Sequence, residues 1–344
     1  MRMKKIISSI LLGLIVQTSL SCSKDDYDLD QVDNVEQTAD ENNPIKNNRP
    51  NTQTPSFVSF DVSLYADNIK KHQSAAVYGD YAVFVTDRRS NLYLYNLKTK
   101  QLLCEKQFEA VDEKIGKYIL YHCNETTFGV DFYKENDPFP LLYITQRARA
   151  DKRCIVEVFR LKPECTTPDS DFTSLDAELV QTIYFPVMTA ENYLGRVNCV
   201  IDAKNKLMYS YSYNLTSGDA NYMLGRVTSF QIPDIKEAEV YLNDDSIVDS
   251  FDLGYTAVNS QGGCINDGIL YIGQGMKSAG YIYLNIIDLN DKKVITRIDL
   301  LANGIEWEPE GCFYYNGHLM IATGKNIWEL NFDKNTTDIK IPTM

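Results

Sequence analysis

Gln261-Gly262-Gly263-Cys264-Ile265, a turn at Asn266-Asp267, and then Ile269-Leu270-Tyr271-Ile272 form a pattern that returns along the chain. It returns as Glu310-Gly311-Cys312-Phe313-Tyr314, the turn Asn316-Gly317, and His318-Leu319-Met320-Ile321. Earlier copies are Val197-Asn198-Cys199-Val200-Ile201 leading to Leu207-Met208-Tyr209-Ser210-Tyr211, and His72-Gln73-Ser74-Ala75-Ala76-Val77 leading through Gly79-Asp80 to Tyr81-Ala82-Val83-Phe84-Val85. A more divergent copy opens at His122-Cys123-Asn124 and continues through Phe139-Pro140-Leu141-Leu142-Tyr143-Ile144. Each copy is a polar residue, a small or cysteine-bearing strand, a tight turn, and a strongly apolar strand. Asn-Gly and Asn-Asp between apolar runs are hairpin signals, because their residues accept the positive φ angles of a two-residue turn.

Working outward, each copy gains a third strand, at 91–96, 155–160, 226–232, 281–289 and 326–331. Most gain a fourth, at 102–108, 179–185, 246–253 and 294–300. A four-stranded sheet has two faces to cover, and repeats of such sheets cover one another. The expected fold is therefore all-β, a β-propeller of five four-stranded blades. Six blades would follow if the long second or third unit held another sheet, and two β-sandwiches are the competing architecture. The last copy lacks a strong fourth strand. Residues 57–64 look like the fourth strands elsewhere, so the N-terminal strand is expected to close the ring, with 337–341 as the competitor for that place.

Ahead of the repeat, 1–21 read as a signal: Met1-Arg2-Met3-Lys4-Lys5, an apolar run over 6–16, then small residues up to Cys22. The run is shorter than the roughly 20 apolar residues a spanning helix needs. Residues 22–55 read as an acidic disordered tether, with eight acids, few aliphatics and three prolines (Pro44, Pro50, Pro55). The folded domain is assigned to 56–344. Cys22 followed by Ser23-Lys24-Asp25-Asp26 resembles the start of surface lipoproteins of Bacteroidetes-type bacteria, including those that carry a β-propeller. That resemblance implies lipidation at Cys22 and an outer-membrane anchor, facing the cell exterior or else the periplasm. It implies no reaction.

A formal charge of −13, from 47 acidic against 34 basic residues, makes nucleic acid an improbable partner. Seven cysteines follow Cys22. In an oxidising compartment Cys154 and Cys165, bracketing a strand end and loop, are the expected disulfide pair. Cys123, Cys199, Cys264 and Cys312 recur at one repeat position and read as small buried thiols. With three histidines in all, a histidine-built zinc site is not expected.

If the repeat is aligned correctly, the residues that open each innermost strand converge at one end of the axis: His72 and Gln73, His122 and Asn124, Arg196 and Asn198, Gln261 (with Asn259), and Glu308 and Glu310. Polar groups buried there need partners. They could bond one another and hold the blades in register, or form a pocket for a glycan, peptide or protein ligand. Trp307-Glu308-Pro309-Glu310-Gly311 resembles the Glu-Gly strand openings of calcium-dependent lactonase-type propellers, which implies Glu310 as a metal ligand. Asn124 and Asn198 could add two oxygens to such a site, while Arg196 would oppose a cation or pair with Glu310. His122 could carry a proton. No cofactor is expected from the residues themselves, and no motif of nucleophilic or phosphate chemistry appears. A binding module is the expected function, with a metal-assisted hydrolase or lyase centred on Glu310 as the alternative. Tyrosine-rich connections at 131–140 and 210–223 offer flat area suited to sugar or protein surfaces.

Overall fold

The computed structural model describes residues 56–60, 72–86, 91–108, 111–112, 117–118, 123–146, 153–167, 170–323 and 326–331. Cys22, the tether, His122 and 337–341 lie outside the described residues. In chain order the strands are β1 (Ser56–Phe60), β2 (His72–Tyr78), β3 (Tyr81–Thr86), β4 (Asn91–Asn96) and β5 (Gln101–Gln107). A short pair follows, β6 (Val111–Asp112) with β7 (Lys117–Tyr118), and then β8 (Cys123–Phe128), β9 (Leu142–Gln146), β10 (Ile155–Cys165) and β11 (Phe172–Tyr184). Next come β12 (Asn198–Asp202), β13 (Leu207–Tyr213), β14 (Leu224–Gln231), β15 (Glu239–Tyr241) and β16 (Ile247–Thr256). The last two units are β17 (Ser260–Asn266), β18 (Ile269–Met276), β19 (Tyr281–Asp288) and β20 (Lys293–Asp299), then β21 (Gly311–Tyr315), β22 (His318–Ala322) and β23 (Ile327–Asn331).

These strands make five blades, β2-β3-β4-β5, β8-β9-β10-β11, β12-β13-β14-β16, β17-β18-β19-β20 and β21-β22-β23-β1. The innermost strands pack in a cycle, β2 on β8, β8 on β12, β12 on β17, β17 on β21 and β21 on β2. The fold is a five-bladed β-propeller. Its ring is closed as the sequence predicts: β1 runs antiparallel to β23, Ser56 opposite Asn331 and Phe60 opposite Ile327, so the first strand completes the last blade.

Two-residue turns set the hairpins. Asn316 and Gly317 both have positive φ (51° and 79°), and so do Asp267 and Gly268 (48° and 80°), which places that turn one residue later than the Asn266-Asp267 read from sequence. Both faces of a blade are buried, which explains the unbroken apolar runs in place of an alternation. In the first blade Val83, Val85, Leu92 and Leu94 pack toward Leu142, Ile144 and Phe159 of the second. The intervening Ala82, Phe84, Tyr93 and Tyr95 pack toward Phe313, Met320 and Ile327 of the fifth. Each such side chain contributes roughly 1.5–3 kcal/mol on leaving water. Each blade thus covers its faces only against its neighbours.

The second unit is long, but among the described residues it forms no sixth blade. Its extra length extends β10 and β11, and β15 adds a fifth, parallel strand along β11, with Thr182 opposite Glu239. The Gln181 amide donates to the carbonyls of Asp234 (2.8 Å) and Glu237 (2.9 Å) and ties the approach to β15 to that edge.

One expectation is corrected here. Cys154 and Cys165 are both free thiols, the first buried and the second exposed. They stand at opposite ends of the eleven-residue β10. A strand rises about 3.3 Å per residue, so they are separated by roughly 30 Å or more, where a disulfide needs Cα atoms within about 7 Å. Cys154 instead donates to the Gly195 carbonyl at 3.6 Å and accepts from Val197 N at 3.4 Å, pinning the start of β10 to the approach to β12.

Candidate axial binding site

The starts of the inner strands gather at one end of the axis. Gln73 on β2 donates its amide to Glu310, just ahead of β21, at 3.2 Å. Gln261 on β17 donates to Glu308 at 3.3 Å. Asn198 on β12 donates to the backbone carbonyls of Ser260 (3.1 Å) and Gln261 (3.3 Å). These bonds link the first blade to the fifth, the fourth to the fifth, and the third to the fourth. Five of the predicted residues therefore share one polar floor: Gln73, Asn198, Gln261, Glu308 and Glu310.

Asn124 sits on β8, the remaining inner strand. Its Oδ1 is buried without a hydrogen-bond partner, and so is Oδ1 of Asn198. Arg196, half-buried, precedes Asn198 by two residues at the approach to β12. Trp307 is 46% exposed beside Glu308.

His72 does not join the group. It is 5% exposed and meets Phe84 edge-on, ring centroids 5.5 Å apart, and Phe84 belongs to the apolar layer between the first and fifth blades. Neither ring nitrogen has a hydrogen-bond partner. Burial pushes its pKa down to about 4, so the imidazole is neutral. The predicted pocket role for His72 is corrected to a packing role.

Behind the floor lies a residue that the sequence reading passed over. Glu125 on β8 is fully buried. Its Oε1 accepts from Thr126 N at 2.9 Å, and its Oε2 faces the Tyr211 hydroxyl of β13 at 2.8 Å and the backbone N–H of Gly263 on β17. The Tyr211 hydroxyl also reaches the Gln261 carbonyl. Tyrosine has a single proton to give, and here it faces two acceptors. A neutral Glu125 resolves the count by donating to Tyr211, which then donates to Gln261. Burial, the largest influence on this carboxyl, pushes its pKa in the same direction, well above the usual range, against the three hydrogen bonds. The thiols of Cys199, Cys264 and Cys312 are near enough to feel Glu125, and burial pushes each of them up. Ser74 and Thr126 join hydroxyls between the first two blades.

Close approach makes this plug possible. A Cβ at Gly263 would lie 2.7 Å from the Tyr271 carbonyl and 3.1 Å from the Tyr211 hydroxyl, and one at Gly262 would enter the Glu310 carbonyl. The axis is thus a floor of amides and carboxylates set on a hydrogen-bonded plug.

The tyrosine-rich connection at 131–140 belongs to the other end. Tyr78, which closes β2, meets Phe128, Phe132 and Phe139 with ring centroids 5.9–6.2 Å apart. Asp137 is clamped by Arg160 at 2.6 and 2.8 Å, and that guanidinium holds its carboxyl below the usual range. The connection at 214–223 follows β13, whose end pairs with the start of β12, and so lies toward the floor. Among the described residues, no three of His, Cys, Asp and Glu gather as a metal site would require. Of the three oxygen donors that the sequence suggested for a cation, Glu310 accepts from Gln73, and the Oδ1 atoms of Asn124 and Asn198 have no partner.

No protein family and no curated protein matches the chain by sequence. Several solved structures are similar to it. Myxococcus xanthus glutaminyl cyclase matches 77% of this chain and 91% of its own, at 11% identity and a TM-score of 0.41. A luciferin-regenerating enzyme matches 79% and 75%, at 10% identity and 0.37. A chain of a nidogen/laminin complex matches 71% and 70%, at 9% identity and 0.33. Likeness at this level carries no argument about activity.

Proposed function

We propose that this β-propeller is a binding module for a glycan, displayed on the outer membrane by a lipid anchor at Cys22 and using the axial floor as its site. The observation that carries the reading is the unpartnered Asn198 Oδ1 in a floor otherwise made of bonded carboxamides and carboxylates, with Asn124 Oδ1 at the start of the adjoining β8 unpartnered as well. Buried polar atoms without partners are costly, and a ligand's donors would satisfy them. Amides and carboxylates suit hydroxyl groups, and the exposed indole of Trp307 beside Glu308 offers a flat apolar surface to a sugar ring. The signal preceding Cys22 and the acidic tether support export and display.

A glycan microarray probed with the purified protein tests the reading. The expected result is binding to a defined set of glycans, lost in Glu310→Gln while the melting temperature stays close to wild type. An array without signal refutes it. Labelling with palmitate, abolished by Cys22→Ala, tests the anchor, and protease treatment of intact cells separates the outward from the periplasmic orientation.

The same two amide oxygens favour a second reading, a metal-assisted hydrolase with Glu310 as ligand. Two amide oxygens and a carboxylate suit calcium in kind, but supply fewer than the six to eight oxygens it takes. Calorimetric titration with calcium decides: saturable binding removed by Glu310→Gln supports the enzyme, and no heat supports the glycan module.

A further inference from the structure

Among the described residues, Arg297 forms no ion pair, whereas Arg160 and Arg226 are each held by an aspartate at 2.6 Å. It lies on β20, the outermost strand of the fourth blade, and its partners are all neutral. Nε donates to Asn285 Oδ1 at 2.7 Å, and Nη2 donates to Gln274 Oε1 at 3.0 Å. The guanidinium carbon lies 4.3 Å from the ring centroid of Tyr255, on the third blade, and 4.5 Å from that of Tyr283. Ring faces attract a cation without neutralising it.

These contacts hold the side chain in place. Gln274 and Asn285 are both buried. The Gln274 amide nitrogen donates to the carbonyls of Thr256 (2.8 Å) and Val258 (3.0 Å), which aims its oxygen at Asn285 Nδ2 (3.2 Å) and at Arg297. A guanidinium donates along more than one edge of its plane. The bonds to Asn285 and Gln274 use the edge made by Nε and Nη2, so the edge made by Nη1 and the second Nη2 hydrogen is left over. Nη1 has no partner in the fold and, unlike Asn198 Oδ1, it is not buried. A positive fork of fixed orientation therefore opens on solvent.

Its place in the sheet is at the floor's end of the propeller. Ser260 faces Gln274, Gln274 faces Tyr283, and Tyr283 faces Asp299, a row from the inner strand to the rim. Three strand spacings, about 14 Å, separate β17 from β20, so Arg297 and the axial floor are distinct sites. Asp299, two residues along β20 with its Oδ1 bonded to Ala302 N at 2.9 Å, limits the charge that can settle there. A monoanion is balanced by the guanidinium, while a phosphate dianion leaves an excess charge beside Asp299. A carboxylate also matches a planar fork with two parallel bonds. The Tyr281 and Tyr283 rings, stacked with centroids 5.7 Å apart, supply flat apolar area beside the fork for a ring that carries the acid.

We infer that the free edge of Arg297 binds a carboxylate, the acid group of a uronic sugar. The inference does not rest on the axial floor, so either can fail while the other stands.

NMR titration of the isotope-labelled protein, read at the Arg297 guanidinium resonances, tests it. The probes are D-galacturonate, D-glucuronate, their neutral parents D-galactose and D-glucose, and inorganic phosphate, each at millimolar concentration. The resonances are identified by their absence from Arg297→Lys. They are expected to move with at least one uronate and to stay in place with both neutral sugars. Uronate affinity is expected to fall about tenfold or more in Arg297→Lys, which keeps the charge but not the fork. The wild-type resonances read the site even where that variant does not fold. Resonances unmoved by both uronates overturn the inference, as does equal uronate affinity in Arg297→Lys. Tighter binding of phosphate than of either uronate, or equal movement with the neutral parents, also overturns it.

Discussion

The Tyr211 hydroxyl and a carboxyl oxygen of Glu125 lie 2.8 Å apart at the centre of the propeller, joining the second blade to the third. Tyr211 also touches the Gln261 carbonyl, and Glu125 takes the Gly263 N–H, so one pair of side chains binds three of the five blades together. A proton held on that carboxyl would let the Tyr211 hydroxyl serve the Gln261 carbonyl. Glu125→Gln keeps a donor and an acceptor in the same space and is expected to fold with a melting temperature near wild type. Glu125→Ala strands Tyr211 and the Gly263 N–H and opens a cavity, at a cost of about 3–5 kcal/mol. Chemical denaturation of the two variants side by side checks the contrast.

The same carboxyl sets a pH dependence. Its pKa is raised in the folded protein, so the folded state holds its proton more tightly than the unfolded one. The stability it contributes is full below the ordinary carboxyl value of 4.5 and is lost as pH rises toward the folded value. Calorimetry from pH 4 to 8 should show a falling component in wild type that is missing in Glu125→Gln. Identical pH profiles for the two proteins would mean that Glu125 is ionised throughout.

His72 acts with the opposite sign. Its folded pKa is lowered from 6.5 to about 4 by burial, so the stability it contributes is present above 6.5 and lost as pH falls through 4. The full shift amounts to about 3 kcal/mol at most. His72→Phe, which keeps an aromatic edge against Phe84, is expected to flatten the acid limb of the stability profile between pH 6.5 and 4. An unchanged acid limb would mean that His72 is not buried as described.

The blades were legible because each hairpin carries its turn in the sequence and each middle strand reads as an unbroken apolar run. The composition of the axis was legible only in part. Sequence alignment assumes that side chains alternate strictly along a strand, and three inner strands break that alternation at their starts. Register shifts fall between His72 and Ser74, between Cys123 and Glu125, and between Ser260 and Gly263. A bulge moves every later side chain to the other face. His72 thus leaves the axis for a blade interface, and Glu125 enters it. The available signal was a lone carboxylate, Asn124-Glu125-Thr126-Thr127, in a strand position that other copies fill with small or apolar residues, matched by Gly262-Gly263 on a neighbouring strand. Cys154 and Cys165 misled for another reason: ten residues of continuous strand lie between them where a loop return was assumed.

The thiols give a chemical check on that correction. Cys165 is exposed, Cys104 half-buried with its pKa pushed up to about 11, and Cys123, Cys154, Cys199 and Cys312 are buried. Among the described cysteines, Cys165 is expected to react first with a thiol-specific chromogenic reagent, and the buried set only on unfolding. Reductant should leave the melting temperature unchanged. A fall in melting temperature under reductant, abolished in Cys165→Ser, would restore the disulfide.

Gly262 tests the closeness of the fourth and fifth blades where the axial floor meets the plug. Its missing side chain leaves room for the Glu310 carbonyl and the Gly311 Cα, both backbone atoms that cannot swing aside. Gly262→Ala must push β17 away from β21, and overpacking of this kind costs about 1–3 kcal/mol. The displacement would also move Gln261 off Glu308 and Gly263 off Glu125, so the variant should lose stability and axial ligand affinity together. Gly280→Ala serves as the comparison: its Cβ would meet nothing within 4 Å, although its φ of 77° imposes a local backbone strain. The expected result is that both variants lose stability and only Gly262→Ala loses binding on the glycan array. Full binding in Gly262→Ala would show that the floor does not depend on this approach.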